Sequence, residues 1–226
     1  MSVSPAPHLL TKAPHRPAAG AAFLGDLALA PARVHEACGA ARHTFALIVA
    51  AALRGPIMWI APAWRPERLN AEGIVRFVDP SRFLFVTPRR DEDVLWSMEE
   101  ALRAGCVPLV VADLPGPPAL TPVRRLHLAA ETGAAEGNVC PLGLLLTPGA
   151  GGAAGVETRW EMTPRHGPTG HREWALHRRR ARMAPETAWR VVVSGGKFRL
   201  DGPLQSGDVS PKALPGTIDG EPLPRI

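Results

Sequence analysis

Val34-His35-Glu36-Ala37-Cys38-Gly39-Ala40-Ala41-Arg42-His43-Thr44 is the stretch on which the reading of this chain turns. Residues 34–38 form a short run without strict polar alternation, as suits a strand buried on both faces. Gly39 breaks the run, and residues 44–53 are an apolar segment of helical length. A buried strand, a tight glycine-bearing loop and a helix make the first half of a βαβ unit.

Four further runs repeat the strand signal, at residues 57–61, 83–87, 107–112 and 142–147. Before the run at 107, Asp91, Glu92 and Asp93 open a helix, Val94, Leu95, Met98, Ala101 and Leu102 mark one face, and Arg103 and Gly105 close it. After residue 112, Thr121 as cap and Pro122 at the first helical position predict a helix to about Thr132. Strands alternating with helices predict an α/β fold with a doubly wound, mostly parallel sheet. The rhythm changes after Thr147. Residues 148–155 are a Gly/Ala loop, and residues 158–162, 173–182 and 189–193 read as strands without helices between them. These predict an antiparallel extension at one sheet edge.

The ends differ from the middle. Residues 1–21 carry Pro5, Pro7, Pro14 and Pro17 and read as a flexible N-terminal arm. Residues 201–226 carry five prolines and read as a disordered tail, leaving 22–200 as the core domain. Residues 18–32 are small and apolar like a leader peptide, but Asp26 interrupts them and no clean basic start precedes them. Residues 44–53 are too few to span a bilayer, so no membrane association and a cytoplasmic location are expected.

The 226 residues carry a net charge of +5, unevenly distributed. Between Arg159 and Arg199 lie ten Lys or Arg and three Asp or Glu, so the rest of the chain is slightly acidic. Such a basic segment fits a polyanion or an acidic partner, and equally a solvated arginine-rich surface. Cys38, Cys106 and Cys140 are too scattered for a disulfide framework or a zinc site, and Cys106 reads as a small core residue. His166, His171 and His177 have no Cys or carboxylate to complete a metal set, so no metal is expected. Of six tryptophans, Trp59 and Trp96 read as core, whereas Trp64, beside Arg65 and Pro66, could stack on a base or a partner.

In a doubly wound sheet, ligands lie beyond the carboxyl ends of the strands. The loop from Gly39 to Thr44 stands where a phosphate loop belongs. A working loop reads G-x-x-x-x-G-K-[ST]: glycines admit phosphate to backbone N–H groups, Lys reaches the outer phosphates and the hydroxyl meets magnesium. Only Gly39 and Thr44 remain, with Arg42 and His43 between them, and the loop is about two residues short. Leu109-Val110-Val111-Ala112-Asp113 has the form of a magnesium-holding strand. The strand at 57–61 runs into Pro62-Ala63-Trp64, with no carboxylate to activate water. Gly39, Arg42, His43, Thr44 and Asp113 are therefore expected to be the remains of a nucleotide site, with no cofactor and no catalysis.

Together these positions resemble the RecA recombinase core. Residues 33–39 look like the strand entering its phosphate loop, Val110-Val111-Ala112-Asp113 its magnesium strand, and residues 157–160 and 174–185 its late strands. The closer resemblance is to the ImuA family, carried by Val34-His35-Glu36-Ala37, Trp59-Ile60-Ala61-Pro62, Leu95-Trp96-Ser97-Met98-Glu99-Glu100-Ala101-Leu102, Val123-Arg124-Arg125-Leu126-His127-Leu128-Ala129-Ala130 and Gly155-Val156-Glu157-Thr158-Arg159-Trp160. The resemblance implies a RecA-like fold. It also implies a role in SOS-induced error-prone translesion synthesis, beside an ImuB-like Y-family protein and an error-prone C-family polymerase subunit. The chain has no evident polymerisation helix and no separate C-terminal domain, so filaments are not expected.

The expected function is a non-catalytic adaptor that binds the ImuB-like protein and touches RecA or single-stranded DNA. Arg178, Arg179, Arg180 and Arg182, with Trp64, are the candidate contacts. Strand alternation would put Arg178 and Arg180 on one face. The alternative is a DNA-stimulated ATPase with an unorthodox loop. Non-specific single-strand binding is a third reading, set against a Gly/Ala loop that has no Arg or Lys.

Overall fold

The computed structural model describes residues 20–65, 68–166, 172–182 and 184–204. A hairpin of β1 (Ala21–Leu24) and β2 (Leu27–Leu29) leads into β3 (Val34–Cys38) and α1 (Arg42–Ala52). There follow β4 (Ile57–Ile60), the single-turn α2 (Ala71–Ile74), β5 (Phe83–Val86), α3 (Asp91–Ala104), β6 (Leu109–Asp113), α4 (Leu120–Glu136) and β7 (Leu142–Leu146). The last four strands are β8 (Thr158–His166), β9 (Arg172–Ala181), β10 (Thr187–Ser194) and β11 (Lys197–Pro203).

Nine strands form one sheet in the order β11-β10-β9-β8-β3-β7-β6-β4-β5. Pairing is parallel from β8 through β3, β7, β6 and β4 to β5, and antiparallel from β8 to β11. This is a mixed α/β architecture with a large, mostly parallel sheet flanked by helices. β3 is buried throughout, and its side chains serve two layers in alternation. Ala37 faces a cluster with α1 and the first hairpin, whereas Val34 faces a cluster with α3 and α4. Trp160 of β8 anchors the first layer. It is fully buried, with Phe23, Phe45 and Trp189 packed around its ring at 5.4–5.9 Å between centroids. An aromatic side chain buried like this contributes roughly 2–3 kcal/mol. In the second layer α3 and α4 pack closely. A Cβ on Gly133 would lie 2.0 Å from the Leu102 carbonyl oxygen, so only glycine fits there.

Several local expectations shift. The apolar residues from Ala21 to Leu29, taken as part of a leader-like segment, form the β1–β2 hairpin, turning at Gly25, so β1 begins at the last residue of the expected arm. β11 continues to Pro203, past the expected end of the core. Helix α4 begins at Leu120 with Ala119 as its cap, so Thr121 and Pro122 lie within the first turn and no side chain caps it. Proline is tolerated there because first-turn N–H groups have no helical acceptor. Trp59 is buried as expected, but Trp96 is exposed on α3 and Cys106 is exposed after it. Trp96 projects away from the stripe formed by Val94, Met98 and Leu102. The remainder of the expected arm and tail, residues 1–19 and 205–226, lies outside the described residues, as does His171. Among the described residues no helix is long and apolar enough to cross a membrane.

Candidate functional site

β3, β6 and β4 bring their carboxyl ends together, and α1 starts beside them. Only Gly39, Ala40 and Ala41 separate β3 from α1. Gly39 has φ +86°, and a Cβ there would lie 2.5 Å from the Met162 carbonyl oxygen. That position therefore requires glycine, for close approach to β8 rather than to a phosphate. Three amides at this turn are already engaged. Gly39 N–H donates to Gly149 O at 2.9 Å, Ala41 N–H to Met162 O at 2.9 Å and Arg42 N–H to Gly39 O at 3.3 Å. An anion at a helix start needs such N–H groups free.

Asp113 ends β6 and is buried. Arg65 Nη1 donates to its Oδ1 at 2.7 Å, and His43 Nε2 to its Oδ2 at 2.8 Å. Arg42 Nε stands 3.8 Å from Oδ1 and, although buried, has no hydrogen-bond acceptor. Burial pushes the Asp113 pKa up. The hydrogen bond from His43 and the charges of His43, Arg65 and Arg42 outweigh it and hold the carboxyl below its usual range. The site is thus an ionised carboxylate with both oxygens occupied by side chains of the same protein. Thr44, the third residue of α1, is half-buried and its hydroxyl makes no hydrogen bond to Asp113. Among the described residues no group of three His, Cys, Asp or Glu side chains is placed to hold a metal ion.

Arg65 is one of two polar groups missed by sequence reasoning. It reaches Asp113 from the segment after β4, and its neighbour Trp64 donates from Nε1 to Asp91 Oδ1 at 3.0 Å. Trp64 is more than half exposed. The second is Glu36, fully buried in the middle of β3. Its Oε1 accepts from Thr147 Oγ1 at 2.6 Å and from the Gly152 and Ala153 amides at 2.8 and 3.0 Å, and its Oε2 accepts from Arg159 Nε. Arg159 Nη2 also donates to Ala153 O at 3.0 Å. The Gly/Ala loop at 148–155 is therefore tied to the sheet through one carboxylate. Burial pushes the Glu36 pKa up, but the Arg159 bond, then Thr147 and the two amides, bring it below the usual range. An acid inside an apolar strand was the available signal, because carboxylates are rarely fully buried without partners.

His35 is equally buried. Burial pushes its pKa down to about 4, so the ring is neutral at pH 7. Its Nε2–H donates to Ala30 O at 3.0 Å, and Nδ1 accepts from Thr158 Oγ1 at 2.7 Å. Trp160 Nε1 donates to the same hydroxyl. Burial, then the charges of Glu36 and Glu161, push the Cys38 thiol up to about 12, which leaves it unreactive.

The candidate arginines, three in β9 and Arg182 just after it, do not act alike. β8 pairs Arg159 with Arg180 but Trp160 with Arg178, leaving Arg179 as an extra residue in a bulge. A bulge breaks the two-residue period, so Arg178 and Arg180 lie on opposite faces rather than sharing one. Arg178 stacks over the rings of Trp160 and Trp189 at 5.8 and 5.3 Å, and donates to Pro185 O from Nε and Nη2. Arg179 pairs with Glu161 at 2.5 Å. Of the four, Arg180 is the one exposed without an ion pair among the described residues, and Arg182 is strongly exposed beside Glu157 at 3.7 Å.

No family model matches the chain, and no curated protein matches it significantly. Among solved structures, SulA from Pseudomonas aeruginosa is 24% identical over 53% of this chain and 100% of its own, with a TM-score of 0.42. At that TM-score the likeness carries no argument about this protein, and the functional reading rests on its own residues.

Proposed function

We infer that this chain is a non-catalytic, RecA-like accessory protein of an SOS-induced error-prone translesion synthesis complex. Its direct partner is an ImuB-like Y-family protein, through which it meets a C-family polymerase subunit. RecA or single-stranded DNA is a further contact. The family strings around Trp59, Trp96, His127 and Trp160 support the family reading. One observation supports the loss of catalysis above the others. The carboxylate that would hold magnesium, Asp113, already has Arg65 and His43 on its two oxygens. A divalent cation would have to displace both, and would then meet Arg42 as well. For nucleic-acid or partner contact, Arg180 and Arg182 are the candidate arginines with charge to offer.

Calorimetric titration with magnesium-ATP, with and without single-stranded DNA, tests this reading. No saturable heat up to millimolar nucleotide is expected. Saturable binding that disappears in Asp113→Ala would overturn it in favour of an ATP-dependent enzyme.

A further inference from the structure

Two cysteines far apart in sequence come level at the amino end of the sheet. Cys106 lies between α3 and β6, and Cys140 between α4 and β7. β6 and β7 are parallel neighbours, paired from Leu109↔Leu142 onward. Their contact continues backwards beyond the strands. Leu142 N–H donates to Pro108 O at 2.9 Å, and Val139 N–H to Gly105 O at 2.9 Å. Cys106 follows Gly105 on one segment as Cys140 follows Val139 on the other, so both stand between the same two rungs. Neither segment is regular strand there, so the two-face alternation of a sheet does not separate the side chains, and both are exposed. Chains held this way have such Cα atoms roughly 5–7 Å apart, the separation a disulfide spans.

The backbone before each cysteine is held by close glycine packing. A Cβ on Gly105 would lie 2.2 Å from Gly133 O, and one on Gly137 would lie 2.5 Å from Gly105 Cα. The two segments therefore cannot drift apart without opening the contact between the ends of α3 and α4. Neither thiol is tied into the core. Cys106 Sγ makes one weak hydrogen bond, to Ala104 O at 3.2 Å, and Cys140 makes none among the described residues. Cys38 is the opposite case. It is fully buried in β3, and burial pushes its thiol up to about 12, so it does not compete for oxidants.

We propose that Cys106 and Cys140 are a modification site, a dithiol–disulfide pair oxidised reversibly by low-molecular-weight disulfides. The thiolate of one cysteine attacks the small disulfide, displacing one small thiolate and leaving a mixed disulfide on the protein. The thiolate of the other cysteine then attacks the protein sulfur of that mixed disulfide. The Cys106–Cys140 bond forms as the second small thiolate leaves. The protein gives up two electrons and two protons, and the small disulfide departs as two thiols. Cys106 Sγ has only to turn away from Ala104 O. The bond clamps the α3–β6 junction to the α4–β7 junction, at the opposite end of the strands from Asp113. It therefore stiffens the α3–α4 layer and leaves the Asp113 cluster untouched. The inference does not depend on the translesion reading.

The reduced full chain, kept dilute, is equilibrated with oxidised glutathione, alkylated under denaturing conditions and mapped by mass spectrometry. The expected product has Cys38 alkylated and one peptide pair joined through Cys106 and Cys140. Cys106→Ser and Cys140→Ser, both at exposed positions, should instead each retain glutathione on the exposed cysteine that remains. The urea midpoint should rise on oxidation of the wild type and not of either variant, because the bond restricts the unfolded chain. A wild type that carries glutathione on both cysteines, or that links chain to chain through them, would overturn the proposal. So would a Cys106–Cys140 bond that forms only in urea above the unfolding midpoint, because it would then belong to the unfolded chain. An oxidised wild type with an unchanged or lower midpoint would overturn the clamp.

Discussion

Arg65 Nη1 lies 2.7 Å from Asp113 Oδ1, which joins the segment after β4 to the end of β6 across 48 residues of sequence. Asp113 is the single anion on which Arg65, His43 and Arg42 converge. Asp113→Ala would leave largely buried guanidinium groups facing one another. Removing one member of a buried ion pair costs about 3–5 kcal/mol. Urea denaturation should show a loss of that order, and Arg65→Ala a smaller one, because Arg42 and His43 still face the carboxylate.

Glu36 and Asp113 both have folded pKa values below the ordinary carboxylate range. Such groups contribute stability above the unfolded pKa near 4, and that contribution is lost as pH falls through the folded value. Denaturation midpoints should therefore fall steeply below about pH 4. Glu36→Gln should flatten that slope. It should also speed amide exchange at Gly152 and Ala153, whose N–H groups the carboxylate now accepts.

His35 adds a second, higher window. Its folded pKa of about 4 lies below the unfolded value near 6.5, so the unfolded chain binds the proton first. Stability should decline by roughly 3 kcal/mol as pH falls from about 6.5 to about 4. Stability curves of the wild type and His35→Gln across that interval check this. A wild-type curve as flat as that of the variant would count against a neutral, buried ring.

Arg178 and Arg180 should separate in opposite senses. Arg178→Ala removes the guanidinium from beside Trp160 and Trp189 and from Pro185 O, at a cost of about 1 kcal/mol in stability. Arg180→Ala should leave stability unchanged. If single-stranded DNA is bound, Arg180→Glu with Arg182→Glu should weaken it and reduce its salt dependence, measured by fluorescence anisotropy across a salt series.

The inner strands β3, β6 and β7 were legible because each is a short run buried on both faces, and β4 and the edge strand β5 because they are apolar runs between turn signals. α3 was legible because acidic residues open it and Gly105 closes it. The first hairpin was less so, since Phe23, Leu24, Leu27 and Leu29 resemble any small apolar segment until Phe45 and Trp160 are placed against them. The bulge at Arg179 left no local mark. It arises from the pairing of β9 with β8, and it alone separates Arg178 from Arg180.

Of the site, the sequence by itself determined what is missing: no second glycine, no lysine and no carboxylate at the end of β4. It also determined that Asp113 ends a buried strand, since four apolar residues precede it. Only the tertiary structure decided what Asp113 and Glu36 do instead. Their partners, Arg65, His43, Thr147 and Arg159, are 48 to 123 residues away or carried on other elements. A buried charge is stable only where such partners converge in space. That convergence is a property of strand order and register, which local residue patterns do not encode.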